Sequence, residues 1–260
     1  MPGSLRTLMS PPPMASDGYM PQAVGPRTKR ALAARGARPV VGDYARFGTG
    51  LLAGLPWSMA GGRGSFEFGG ERHRYLYHRY KWTWLTERAV EVPIARSFIA
   101  GHAPERVLEV GHVLGHYGPR EHVVVDKYEQ APGVLNEDVF ELDHLGRFDR
   151  VVAISTLEHV GWDEDPRDAS KSPASLRAVQ RLIAPGGKLL VTVPVGYHPG
   201  LDGAIRAGQF RFARAGALRR RQLGPHWDEV PPESVWGTPY DFLLYSARAV
   251  FVGVIDGPPA

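Results

Sequence analysis

The segment from Arg106 to Asp126, R-V-L-E-V-G-H-V-L-G-H-Y-G-P-R-E-H-V-V-V-D, constrains the fold more than any other part of the chain. Val107, Leu108 and Val110 form an apolar run that suits a strand buried on both faces. Gly111 and Gly115 follow at once, at the point where an open parallel sheet turns its strand ends toward a ligand. A second apolar run, beginning at His122, ends on Asp126, whose carboxylate can accept hydrogen bonds from both hydroxyls of a ribose. Strand, glycine turn, strand and acid together outline a nucleotide-type cofactor site.

Two later segments extend the pattern. Phe148 to Gly161, F-D-R-V-V-A-I-S-T-L-E-H-V-G, is an apolar strand that ends in the small hydroxyl residues Ser155 and Thr156 and continues into Glu158-His159. Leu182 to Pro194, L-I-A-P-G-G-K-L-L-V-T-V-P, reads as a helix end, a Pro-Gly-Gly turn and another buried strand. Ser172-Pro173 is a helix start with Ser as the cap, and Leu176, Val179, Leu182 and Ile183 make one apolar stripe. Ala249 to Ile255 forms a last strand.

In this order the segments resemble the class I S-adenosylmethionine-dependent methyltransferases, over roughly one domain's worth of chain. The resemblance implies a Rossmann-like, doubly wound α/β sheet of the seven-stranded type, with S-adenosylmethionine as cofactor. It places Glu109 and Gly111 beside the methionine portion, with Gly115 closing the turn. Asp126 would take the ribose hydroxyls, Asp138 would lie near the adenine amino group, and Ser155 and Glu158 would line the cofactor from the fourth strand. His159, where acceptor and cofactor meet, is the candidate general base, because its ordinary pKa lets it take a hydroxyl proton at neutral pH.

The sequence departs from the family pattern in two ways. Val113 stands where the turn usually has its middle glycine. The 11 residues between Val110 and His122 are too few for a normal crossover helix, and Lys127 to Gly133 is shorter still, so both early crossovers are expected to lack a full helix.

Each site residue also has a plainer reading. Asp126 could cap a loop, Asp138 could start a turn, and Glu109, a carboxylate in an apolar strand, could pair with an arginine. His159 could be a packing residue. Asp163, Glu164 and Asp165 read as a solvated loop, and Arg219-Arg220-Arg221 as a solvated surface with phosphate recognition as the sharper alternative. Despite ten histidines, no H-E-x-x-H helix or compact His-carboxylate set is apparent, so no metal is expected.

Residues 1–40 hold six cationic side chains against Asp17 alone, along with the run Pro11-Pro12-Pro13. This is the composition of a disordered basic tail, and its net charge of +5 exceeds the formal +4 of the whole chain, leaving the rest at −1. Residues 41–101 are expected to form a cap with a hairpin turning at Gly69-Gly70 and a helix from Thr86 to Ala100, kinked or divided at Pro93. The methyltransferase-like domain then occupies residues 102–260.

There is no cysteine, no secretory signal and no run long enough to cross a bilayer, so a cytoplasmic protein without a membrane partner is expected. Aromatic residues between Tyr75 and Trp84 suit a small-molecule or glycan-type acceptor, with O-methylation favoured and nucleic acid disfavoured; no feature points to an oligomeric state. The alternatives are a catalytically degenerate methyltransferase-like scaffold, a nicotinamide-dependent oxidoreductase, and an RNA-modifying enzyme that uses the basic tail.

Overall fold

The computed structural model describes residues 24–221 and 226–259. Two helices, α1 (Val24–Arg35) and α2 (Ala37–Met59), come first, joined at Gly36 in the left-handed region. The disorder expected for residues 1–40 is therefore corrected from Val24 onward, while residues 1–23 lie outside the described residues. Asp43 accepts from both Arg35 and Arg46, and Thr28 and Tyr44 share a hydroxyl hydrogen bond of 2.6 Å, so side-chain pairs between the helices outweigh the unfavourable composition.

The hairpin β1 (Ser65–Phe68) and β2 (Glu71–Arg74) turns at Gly69-Gly70 as expected, and α3 (Arg88–Ile99) follows. Pro93 does not divide this region: one helix runs through it. A proline there leaves the carbonyl of Ala89 without its helical donor, and the amide of Leu76 supplies one at 3.0 Å. Trp84 ties the cap to α2. Its indole donates to Gly50 O at 3.1 Å, and Gly54 leaves room for the ring, since a Cβ there would lie 2.1 Å from the indole nitrogen.

The large sheet contains β3 (Val107–Val110), β4 (Val123–Val125), β5 (Val134–Leu135), β6 (Phe148–Ile154), β7 (Ile183–Pro194), β8 (Arg214–Arg220), β9 (Trp227–Val230) and β10 (Ala249–Asp256). Their order is β5-β4-β3-β6-β7-β10-β8-β9. The first five are mutually parallel, β10 inserts antiparallel between β7 and β8, and β9 adds an antiparallel edge to the seven strands expected. As expected, the crossover from β3 to β4 is reduced to a 3-10 turn, Leu114–Tyr117, and none of the described residues between β4 and β5 is helical.

Alternation along β6 divides the core. Val151 and Ala153 face a cluster with α4 (Lys171–Gln180) and α5 (Pro199–Arg206), whereas Val152 and Ile154 face α3 and the hairpin. The start of α4 differs from expectation: Ser172 is buried inside the first turn, and the flanking Ser170 binds Asp168. The triple arginine of β8 is not a phosphate patch. Arg219 donates to Ser234 O, Arg220 turns inward to Leu85 O, and Arg221 pairs with Asp228.

Asp202 on α5 accepts from the Gly196 amide at 2.7 Å through one oxygen, while the other is buried without a partner. Burial pushes its carboxyl up to about 6, from 3.8. A folded-state pKa above the unfolded one favours the native state below about pH 4 and loses that contribution as pH rises through about 6. Asp202→Asn, which keeps the accepting oxygen and stays neutral, is expected to stabilise the protein by about 1–3 kcal/mol at pH 7.5 and little at pH 4. Denaturant titrations at the two pH values check this, and no gain at pH 7.5 would contradict it.

Candidate active site

The turn after β3 is set by backbone geometry. Gly111 has φ 89°, its amide donates to Val125 O at 2.7 Å, and a Cβ there would fall 2.2 Å from Thr156 Oγ1. Val113 replaces a glycine without strain because its φ is −109° and its side chain enters the core. Gly115 has a different reason to be glycine: a Cβ would lie 2.2 Å from His112 Nε2.

Glu109 is fully buried, and its partners are backbone amides and a histidine rather than an arginine. Its Oε1 accepts from the amides of Val113 (2.8 Å) and Leu114 (2.7 Å), and its Oε2 takes His122 Nε2 at 2.7 Å. The carboxylate thus holds the turn that would carry the methionine portion, and both oxygens are engaged by the protein itself.

Asp126 follows β4 and is half-buried. His112 N donates to its Oδ2 at 2.9 Å, and Tyr128 N (2.9 Å) and Glu129 N (2.8 Å) donate to its Oδ1. An ionised carboxylate offers about four acceptor sites, so the backbone leaves room for one direct ribose hydroxyl rather than two. Asp138 pairs with Lys127 at 2.8 Å and accepts from Phe140 N at 3.1 Å. Burial would raise its pKa, but the hydrogen bond from Lys127 holds it below the ordinary range.

The fold assembles a cluster that the sequence reading did not find. His112, His116 and Glu129 bring three potential ligand atoms within 4.8 Å of one another. Arg120 Nε donates to His112 Nε2 at 3.1 Å, so the ring proton is on Nδ1 and points at Glu129 Oε1, 2.9 Å away. A metal-ligating histidine has the opposite polarity, donating from its outer nitrogen. The group is therefore a hydrogen-bonded network. Burial would raise Glu129, but the hydrogen bonds from His116 and His112 hold it below the ordinary range.

At the end of β6, Ser155 has φ 41°, and its hydroxyl donates to Glu91 Oε1, which also receives Thr192 Oγ1 at 2.7 Å. Arg88 holds the other oxygen of Glu91 at 2.8 Å and donates to Ile154 O at 3.0 Å. The Ser155 hydroxyl thus faces α3, leaving its backbone at the strand end. Glu158 is fully buried and neither oxygen has a hydrogen-bond partner. Burial pushes its carboxyl well above the ordinary carboxylate range.

His159 Nδ1 lies 2.5 Å from Asp163 Oδ2, and Nε2 lies 3.6 Å from Glu158 Oε1. Tyr197 also donates to Asp163 at 2.5 Å, and Glu164 pairs with Lys171 at 3.0 Å, so the supposed solvated loop is built into the site. Asp163 fixes the Nδ1–H tautomer and leaves Nε2 as the basic nitrogen. The spacing His159-x-x-x-Asp163 was the available sequence signal.

No family model matches the chain. It is 30% identical over 158 residues to the 23S rRNA (guanine(748)-N(1))-methyltransferase of Streptomyces fradiae, covering 57% of this chain and 54% of that one. The chain therefore spans about half the length of this curated relative. Among solved structures it is similar to the N-methyltransferase NodS from Bradyrhizobium japonicum WM9 in complex with S-adenosyl-L-homocysteine, at 12% identity and TM-score 0.40 over 66% of this chain and 87% of that one. It is also similar to the [4+2]-cyclase SpnF, at 15% identity and TM-score 0.43 over 83% and 96%. The strand order, with β10 reversed between β7 and β8, sets the architecture. The fold is a Rossmann-like, mostly parallel α/β sheet.

In this fold Glu109 is the brace of the glycine turn. Glu109→Ala would leave two buried amides and His122 without their acceptor and is expected to cost roughly 3–5 kcal/mol. Glu109→Gln, which still offers an oxygen to the amides, should lose much less. Urea denaturation of both variants checks this, and equal stability of Glu109→Ala and the parent would remove the assignment.

Proposed function

We propose that the chain binds S-adenosylmethionine across the carboxyl ends of β3, β4 and β6 and transfers its methyl group to a hydroxyl of a small-molecule or glycan-type acceptor. The observation that carries the reading is the His159–Asp163 pair at the end of β6, on the same sheet edge as the Gly111 turn and Asp126. The residues fit such a cofactor: Gly111 keeps side-chain atoms out of the turn, and Asp126 retains an acceptor site for a ribose hydroxyl. Asp138 lies toward the adenine, and Ser155 contributes through its backbone.

When bound, the cofactor supplies a methyl group on a sulfonium. The protein's main task is then alignment of the acceptor oxygen with that group. His159, its Nδ1–H held by Asp163, takes the hydroxyl proton on Nε2. A nucleic-acid acceptor is a second reading, supported by the rRNA substrate in the name of the Streptomyces fradiae relative.

Calorimetric titration with S-adenosylhomocysteine, with NADH as control, tests the cofactor. Saturable binding of the first ligand alone, weakened about tenfold or more in Asp126→Ala by loss of the carboxylate's charge-assisted hydrogen bonds, is expected. NADH binding would instead favour an oxidoreductase, and binding of neither a degenerate scaffold. With an acceptor in hand, His159→Ala should lower kcat by roughly 10²–10⁴ and leave S-adenosylhomocysteine affinity unchanged. Unchanged turnover would return His159 to a packing role.

A further inference from the structure

A cavity of about 620 Å³ opens where the loop after α2 meets β2, and its lining includes Arg63, Arg72 and Arg74 but no carboxylate. Strand alternation sends His73 and Tyr75 into the core and leaves Arg72 and Arg74 side by side on the outward face. Arg63 joins them from the loop, its guanidinium over the Trp57 ring at 4.6 Å, and the glycines on either side of it add no side chain to fill the space. Arg106 and Arg221 each have a carboxylate partner, but among the described residues none lies within ion-pair distance of these three. Glu67, the register partner of Arg72, stays beyond that distance, and Glu71 turns to Ser97 and His73. Arg72 engages only its Nε, on Ser65 Oγ at 2.8 Å. Three like charges therefore converge on one opening with their donors unpaired.

The sheet topology places this opening. β8 is antiparallel to β10 and β10 to β7, so β8 ends at the same edge as β3, β4 and β6. Its last residue, Arg220, pairs with Trp227, whose amide donates to the Tyr75 hydroxyl at 2.9 Å. The cavity, which Tyr75 lines, thus lies at the ligand edge on its β9 side. Four inter-strand steps separate β6 from β9, on the order of 20 Å at about 4.8 Å each. The cap chain returns along this edge: Tyr80 stacks on His116 at 4.3 Å, over the glycine turn, and its neighbours Arg79 and Lys81 are exposed. A positive track so runs from the arginine cavity to the candidate site. A small anion can occupy one end of such a track, but only a chain of anions occupies its length.

We propose that the cap holds the phosphodiester backbone of single-stranded RNA, with Arg63, Arg72 and Arg74 gripping phosphates in the cavity and Arg79 and Lys81 leading the strand toward β6. This rests on the nucleic-acid reading of the acceptor and names the surface that carries it. Each guanidinium offers paired N–H donors that match a phosphate, and the absence of carboxylates from the cavity removes competition for them. RNA suits the far end of the track as well, because every ribose carries a 2′-hydroxyl, the kind of group that His159 is proposed to deprotonate.

The test follows fluorescence anisotropy of a labelled oligouridylate of about 12 nucleotides, within the site sizes of single-strand binders, added to the full chain at several salt concentrations. Replacing Arg63, Arg72 and Arg74 together by Gln is expected to weaken binding about tenfold or more and to flatten the slope of log K against log salt by about 0.7 for each arginine removed. The three Lys replacements should keep the slope. Urea denaturation of the Gln variant should match the parent, since all three side chains are exposed. Parent-like affinity and slope in the Gln variant overturn the proposal, as does competition by inorganic phosphate or a uridine dinucleotide as effective as that of the oligouridylate. Tighter binding of a thymidine DNA of the same length overturns the assignment to RNA. Binding of S-adenosylhomocysteine by a parent that binds no RNA removes the track and leaves the cofactor reading in place; RNA binding without S-adenosylhomocysteine binding does the reverse.

Discussion

β6 and β7 present apolar side chains to both sides, and a parallel sheet of this kind is stable only when both sides are dry. Short early crossovers leave one side without its usual helix, and α3 and the β1–β2 hairpin cover it instead, packing on Val152, Ile154 and Leu190. That substitution requires α3 to be fixed in place. The buried network of Arg88, Glu91, Ser155 and Thr192 does so, joining the start of α3 to the carboxyl ends of β6 and β7. The element that protects the core is thereby also a wall of the site.

Buried charge organises the rest of that edge. Glu109, Glu91 and Glu158 are all fully buried, yet each has a different environment. Two amides and His122 satisfy Glu109, Arg88 and two hydroxyls satisfy Glu91, and nothing satisfies Glu158. A satisfied carboxylate rigidifies its surroundings, whereas burial without a partner shifts a carboxyl's pKa upward. One residue type therefore shapes a turn at one strand end, anchors a helix at the next, and stands buried without a hydrogen-bond partner next to His159.

The strands and glycine turn were legible in the sequence because runs such as Val107 to Val110 and Val151 to Ile154 carry their own burial signal. The missing crossover helices followed from chain length alone. Less legible was any residue whose role depends on a partner distant in sequence. Pro93 forecast a break because the donor that fills its gap, Leu76 N, belongs to another segment. The arginines at 219–221 looked alike, but strand alternation and different neighbours gave them three separate roles.

The sequence by itself determined the parallel strands of the sheet, the position of its glycine turn, and the placement of Asp126 and His159 just past strand ends. Local spacing and hydrophobic pattern are sufficient for these, since each depends on neighbours within a strand or a turn. Only the tertiary structure decided how the carboxylates divide their work and that Asp163 orients His159. Those outcomes depend on desolvation and on which donors and acceptors meet across the fold, and both are set only when the cap closes on the sheet.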